Sequence, residues 1–181
     1  MATHDRESAL IVEVAAAEPV VGRHRAELDA NASLGIPAHI TILAPFLPAD
    51  RLGAPERDRL LRVFAAVAPF DFRLHRTDWF GTTVLWLAPQ DPAPFAGLTE
   101  RVFAAFPDYP PFGGQFDEVI PHLTIGLQRP VDELRRAEHE IVPMLPVTAS
   151  ASAVTLMAES SPDGRWERIA AFALGGPVPP S

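Results

Sequence analysis

Cysteine is absent from the 181 residues, which excludes disulfide staples, thiolate nucleophiles and cysteine-containing zinc sites, and leaves the redox compartment open. Lysine is absent too, so all 15 basic residues are arginine and catalysis through a Schiff-base lysine is excluded. No apolar run approaches the roughly 18 to 20 residues that a membrane-spanning helix requires. Met1 to Glu7 carries charges with no apolar region resembling a secretory signal behind it. These absences predict a cytoplasmic protein with no membrane partner. Basic charge is also scarce: a formal net charge of −8 argues against clamping a long nucleic-acid duplex, which needs a broad basic face. A small anionic ligand or the end of a strand is compatible with it.

What is present is an ordinary globular composition, 48% hydrophobic and 21% charged, sufficient for a real core. Ser8 to Val14 reads as a strand, and Glu18 to Ala30 has a proline near its start and apolar residues at helical spacing. After the turn Ser33 to Pro37, His39 to Leu43 reads as a second strand, stopped by Pro45 and Pro48. Glu56 to Val67 is helical by spacing. Phe70 to Thr77 and Thr83 to Ala88 read as a hairpin joined through Asp78-Trp79-Phe80-Gly81. Phe95 to Phe106 is a helix, Pro107 to Gly114 a loop, Pro121 to Gly126 a strand and Val131 to Val142 a helix with Asp132 and Glu133 in its first turn. Val147 to Met157 and Trp166 to Leu174 close the chain as two strands joined by a turn at Ser160 to Gly164. About four helices and seven strands indicate an α+β protein. It is expected to be one bilobal domain over residues 1–181, with residues 1–7 and 175–181 as flexible tails.

The order strand, His-x-Thr, helix occurs twice, at His39-Ile40-Thr41 and His122-Leu123-Thr124. Side chains on a strand alternate faces, so each histidine shares a face with its threonine. One such tetrapeptide is a weak signal. Two, each closely preceded by a proline (Pro37, Pro121) and continued by an isoleucine, are a constellation. Two similar halves packed about a pseudo-twofold axis would bring both imidazoles and both hydroxyls to one groove. That set suits phosphoryl chemistry without a metal. Histidine, with an unperturbed pKa of about 6.5, serves as base or acid near neutrality, and a threonine hydroxyl can donate to a phosphate oxygen as charge builds there.

The chain resembles the two-histidine (2H) phosphoesterase superfamily, in particular bacterial 2′-5′ RNA ligase-like proteins and RNA 2′,3′-cyclic phosphodiesterases. Besides HITI and HLTI, Gly35 to Phe46 resembles that family's first motif region, as does Arg25 four residues before Asp29. Pro110-Pro111-Phe112-Gly113-Gly114 followed by Val119-Ile120-Pro121-His122 resembles the run into its second. The resemblance implies a bilobal, pseudo-twofold α+β fold with antiparallel sheets forming a central cleft, helices outside, and no metal or other cofactor. It implies catalytic roles for His39 and His122 and phosphate contacts for Thr41 and Thr124. The implied activity is metal-independent hydrolysis of 2′,3′-cyclic phosphates, or of 2′-5′ linkages, at RNA ends or in nucleotides, by a monomer. A non-catalytic nucleotide- or RNA-end-binding module of the same fold is the alternative.

Other residues carry plainer readings. His24 shares a helix face with Val20 and Leu28 and reads as packed; His139 reads as solvated, His4 as part of a tail, and His75 as a candidate for the edge of the cleft. Phe46 and Phe112 lie on proline-rich loops beside the motifs, where a ring can stack on a base or pack against its own lobe. Arg129 is a candidate phosphate contact, and Arg25 a candidate partner for Asp29 at i, i+4.

Overall fold

The computed structural model describes residues 6–116, 118–160 and 163–177. His4, residues 1–5 and 178–181 of the two expected tails, and residues 161–162 of the last turn lie outside the described residues. In chain order the described elements are β1 (Ser8–Glu13), α1 (Glu18–Leu28), the single turn α2 (Ala30–Ser33), β2 (His39–Leu43), α3 (Ala54–Ala65), β3 (Phe70–Phe80), β4 (Val84–Pro89) and α4 (Ala93–Ala105). They continue with β5 (Leu123–Leu127), α5 (Val131–Ile141), β6 (Val147–Ala151), β7 (Ala153–Glu159) and β8 (Trp166–Ala173). The strands form two four-stranded antiparallel sheets, ordered β2-β1-β7-β8 and β5-β4-β3-β6. The protein is α+β.

Strand chemistry explains the order within each sheet. β1 is apolar on both faces, and Ser8 to Val12 are all buried, as a central strand requires. In β4, Leu85, Trp86, Leu87 and Ala88 are buried in the same way. The two motif strands alternate instead: Ile40 and Ile42 in β2, and Leu123 and Ile125 in β5, are at most 1% exposed, while the residues between them are half-buried. Both are edge strands.

The helices stitch the sheets together. α1 leaves the first sheet and packs on β5 of the second, while α4 leaves the second and packs on β2 of the first. Gly126 of β5 lies under Leu28 of α1 and Leu134 of α5, and the Thr99 hydroxyl of α4 donates to the Ile42 carbonyl at 2.7 Å. Apolar residues of both sheets and of all four long helices therefore form one continuous core, while Ala9, Ile11 and Met157 of the first sheet form a separate small cluster with Ile36, Ala44 and Trp166.

Three expectations need correction. The Val147 to Met157 stretch is two strands, β6 and β7, broken at Ser152 and belonging to different sheets. An extended chain keeps its period of two while it changes sheets, so the run of small residues carried no sign of the switch. The lobes accordingly do not follow the chain halves: the first sheet uses both ends of the chain and the second its middle. Asp78-Trp79-Phe80 is not the hairpin turn but the end of β3, and the turn is Gly81 to Thr83. Asp78 had signalled a turn, but its carboxylate is engaged by Arg76 and by the Trp79 backbone N–H, which leaves the segment free to pair with β4.

Candidate active site

The approach to His39 is held from three sides. The Arg25 guanidinium donates to the Ile36 carbonyl at 3.2 Å and to Asp29 at 3.0 Å, with both members of that ion pair 2% exposed. Ala38 N–H donates to Glu18 at 2.7 Å, and Val14 N–H donates to the Ala38 carbonyl at 2.8 Å. Asp29 also ends α1 and caps α2 by accepting from Asn31 N–H at 3.0 Å. The Arg25–Asp29 pair thus sets where the chain re-enters the sheet at His39.

Each motif histidine makes the same local bond. His39 Nδ1 lies 2.7 Å from the Pro37 carbonyl, and His122 Nδ1 lies 2.6 Å from the Ile120 carbonyl. A carbonyl can only accept, so in each ring Nδ1 carries the proton and Nε2 is left as the atom that can take or give one. β2 and β5 come against each other where the two sheets meet, and His122 lies close enough for its charge to oppose protonation of His39. Burial pushes the His39 pKa down to about 4; the bond to Pro37 and the charge of Asp29 oppose that shift, while Arg25 and His122 reinforce it. Burial also lowers His122, against the bond to Ile120. Both imidazoles are therefore held neutral in the unliganded protein.

Their surroundings differ. His122 sits in an aromatic corner: Phe80 meets its ring edge-on at 4.9 Å and Trp86 at 5.6 Å, and Phe80 and Trp86 stack at 4.8 Å. Trp86 is directly opposite Thr124 in the ladder. His39 instead faces Glu13, its cross-strand partner on β1. The Glu13 carboxylate accepts from Arg168 Nε at 2.8 Å and from the Thr155 hydroxyl at 2.9 Å, and the Arg168 bond holds it below the usual carboxylate range. Sequence reading singled out none of Phe80, Trp86, Glu13 and Arg168. The one available signal was a glutamate closing an otherwise apolar central strand.

Of the remaining candidates, Phe46 belongs to the core. It is 3% exposed and packs edge-on against Phe106 and Tyr109, so its ring is not offered to a base. Phe112 is half-buried; its N–H donates to the Ala44 carbonyl just beyond β2, and its ring packs against exposed Phe116. His24 is buried with Nε2 3.5 Å from Glu140, and His139 is exposed. His75 is exposed on β3 with Nδ1 3.2 Å from the Ala88 carbonyl, and Arg129 lies 3.6 Å from Glu133. Among the described residues no group of three or more His, Asp and Glu is arranged to hold a metal ion, and no helix is long and apolar enough to cross a membrane.

Two antiparallel sheets with exchanged helices and an H-x-T motif on each facing edge define a two-histidine α+β protein. The chain belongs to the 2′-5′ RNA ligase superfamily, whose family model matches residues 12–163. Among solved structures it is similar to TT0787 of Thermus thermophilus, with 19% identity, a TM-score of 0.61 and coverage of 94% of this chain and 98% of that one. It is similar as well to E. coli LigT complexed with 3′-AMP, with 18% identity, a TM-score of 0.58 and coverage of 93% and 98%. For E. coli LigT complexed with NADP+ the values are 21%, 0.55, 95% and 99%. At these identities the likeness is one of fold. No curated protein matches the chain.

Proposed function

We propose that this chain is a metal-independent phosphodiesterase that hydrolyses 2′,3′-cyclic phosphates, or 2′-5′ linkages, at RNA ends or in nucleotides. The observation that carries the reading is the paired geometry: two neutral imidazoles, His39 on edge strand β2 and His122 immediately ahead of the adjoining edge strand β5, each with Nδ1 pinned to a carbonyl two residues back and each two residues before a threonine of its motif. Membership of the superfamily supports a phosphoesterase- or ligase-type role, and LigT's complexes with 3′-AMP and NADP+ make nucleotides the first ligands to test.

In this reaction one Nε2 takes a proton from water as the water oxygen attacks phosphorus. The P–O bond to the 2′ or 3′ oxygen breaks, and the other imidazole, in its protonated form, gives that oxygen a proton. Thr41 and Thr124 donate to the non-bridging oxygens, where charge accumulates. Each proton transfer contributes about 10²- to 10⁴-fold in rate. Which histidine is the base depends on which bond breaks, and the roles exchange in the ligating direction.

The test is hydrolysis of the nucleoside 2′,3′-cyclic monophosphates in excess EDTA by the wild type, His39→Ala and His122→Ala, with identification of the product isomer. Turnover that survives chelation and falls by at least about 10²-fold in both variants supports the reading. Turnover insensitive to either substitution sinks it, and nucleotide binding without turnover turns the protein into the binding module.

A further inference from the structure

The Glu13–Arg168 pair is not needed for two-histidine chemistry, yet it stands on the same face as His39. Directly paired residues of antiparallel strands share a face, and Glu13 is paired with His39. Arg168 reaches that carboxylate from β8, across β7. With strands about 4.8 Å apart, β8 and β1 lie some 10 Å from each other, so Arg168 and Glu13 reach toward each other and meet beside β7, on the His39 side of β8. Thr155 of the intervening strand donates to the same carboxylate oxygen. A flexible side chain is thus fixed in place while remaining 65% exposed, and Glu13 uses only part of its donor fork.

An isolated surface ion pair contributes little to stability, about 0 to 1 kcal/mol. A carboxylate-braced arginine at the side of a reaction centre has another use, since its remaining donors form a rigid receptor for an anionic oxygen. Arg168 also lines a groove of about 410 Å³, together with Trp166, Ile36 and Pro37, and the Pro37 carbonyl is the one that orients His39. The groove therefore ends at the residue that orients the histidine, and it offers an indole ring, an aliphatic wall and the Arg168 guanidinium, with the carboxylates of Glu18 and Glu167 elsewhere on its lining.

We propose that Arg168 and this groove form a subsite for a second phosphate and its attached nucleoside, so that the substrate is the end of an oligonucleotide in preference to a free cyclic mononucleotide. The inference rests on the phosphodiesterase reading above. The reacting phosphate lies between the histidines and threonines, the neighbouring internucleotide phosphate meets Arg168, and its nucleoside lies against Trp166.

The experiment compares adenosine 2′,3′-cyclic monophosphate with a diadenosine ending in a 2′,3′-cyclic phosphate, using the wild type, Arg168→Ala and Arg168→Lys. The wild type is expected to favour the dinucleotide in kcat/KM. Arg168→Ala should cut that preference by about tenfold or more, chiefly through KM, the value of a charge-assisted hydrogen bond. Arg168→Lys should recover part of it through charge without the fork. An unchanged preference in Arg168→Ala overturns the subsite and leaves the two-histidine reading standing. If no cyclic phosphate is turned over, calorimetric binding of diadenosine 3′-phosphate decides: a tenfold loss in Arg168→Ala upholds the subsite while the hydrolytic reading falls, and equal affinity overturns the subsite.

Discussion

Arg25 and Asp29, one helical turn apart, form an ion pair that solvent scarcely reaches, and the arginine passes a second hydrogen bond to Ile36, three residues ahead of His39. Removing one partner strands a buried charge, which costs about 3 to 5 kcal/mol. Arg25→Met and Asp29→Leu should each destabilise by that order in urea unfolding. The double variant should fall well short of the sum, because no charge is left unpaired. Additive losses would mean that the two side chains act independently.

The two half-buried motif histidines make stability depend on pH. His39 has a folded pKa of about 4 against about 6.5 in the unfolded chain, and His122 is shifted in the same direction. Between pH 6.5 and 4 the unfolded state binds more protons than the folded one, so stability falls as pH falls through that window and levels off for His39 below it. At about 1.4 kcal/mol per pH unit, His39 contributes on the order of 3 kcal/mol. Glu13 and Asp78, both lowered, add a loss at still lower pH. His39→Gln should flatten the slope of unfolding free energy between pH 6.5 and 4, and an unaltered slope would show that His39 is not held neutral.

Bound phosphate should reverse that shift. An anion beside an imidazole favours its charged form, so inorganic phosphate should raise the pKa of both motif histidines in a proton NMR titration. His139, exposed on α5, should not move. Equal movement of all the histidines would place the anion elsewhere.

Phe80 holds one of the two rings. It stacks on Trp86 and meets His122 edge-on, and each aromatic contact contributes about 0.5 to 1.5 kcal/mol. Phe80→Ala should destabilise by about 1 to 3 kcal/mol and, by opening His122 to water, let its pKa rise toward the ordinary value. The His122 signal in the same titration reports this. A resonance that keeps its low pKa would assign the burial of His122 to other neighbours.

Gly126 has no room for a side chain. A Cβ there would lie 2.4 Å from Leu134 Cδ2 and 3.0 Å from Leu28 Cβ, so Gly126→Ala should cost about 1 to 3 kcal/mol through overpacking. Adding Leu134→Ala should cost less in that background than in the wild type, as a double-mutant cycle of unfolding energies will show.

Much of the fold was legible because its signals are local. Helical spacing in Glu18 to Ala30 and Val131 to Val142, the turn glycines, and the alternation of His39-Ile40-Thr41-Ile42 follow from periodicities of 3.6 and 2 that operate over a few residues. The His-x-Thr pairs were legible for the same reason, since a strand puts residues i and i+2 on one face whatever it packs against. Phe46 was less so: a loop phenylalanine beside a motif reads alike whether its ring faces a ligand or, as here, Phe106 and Tyr109.

The sequence by itself determined the class of fold, the strand that carries His39 and Thr41 and the one that carries Thr124 with His122 just ahead of it, and the absence of any thiol or lysine chemistry. Only the tertiary structure decided which sheet each strand joins, that β6 and β7 part at Ser152, and that Phe80 and Trp86 flank one histidine while Glu13, braced by Arg168, faces the other. Glu13 and Arg168 lie 155 residues apart. Nothing in a local pattern encodes such a pairing, because it depends on the hydrogen-bonded order of strands that only the collapsed core selects.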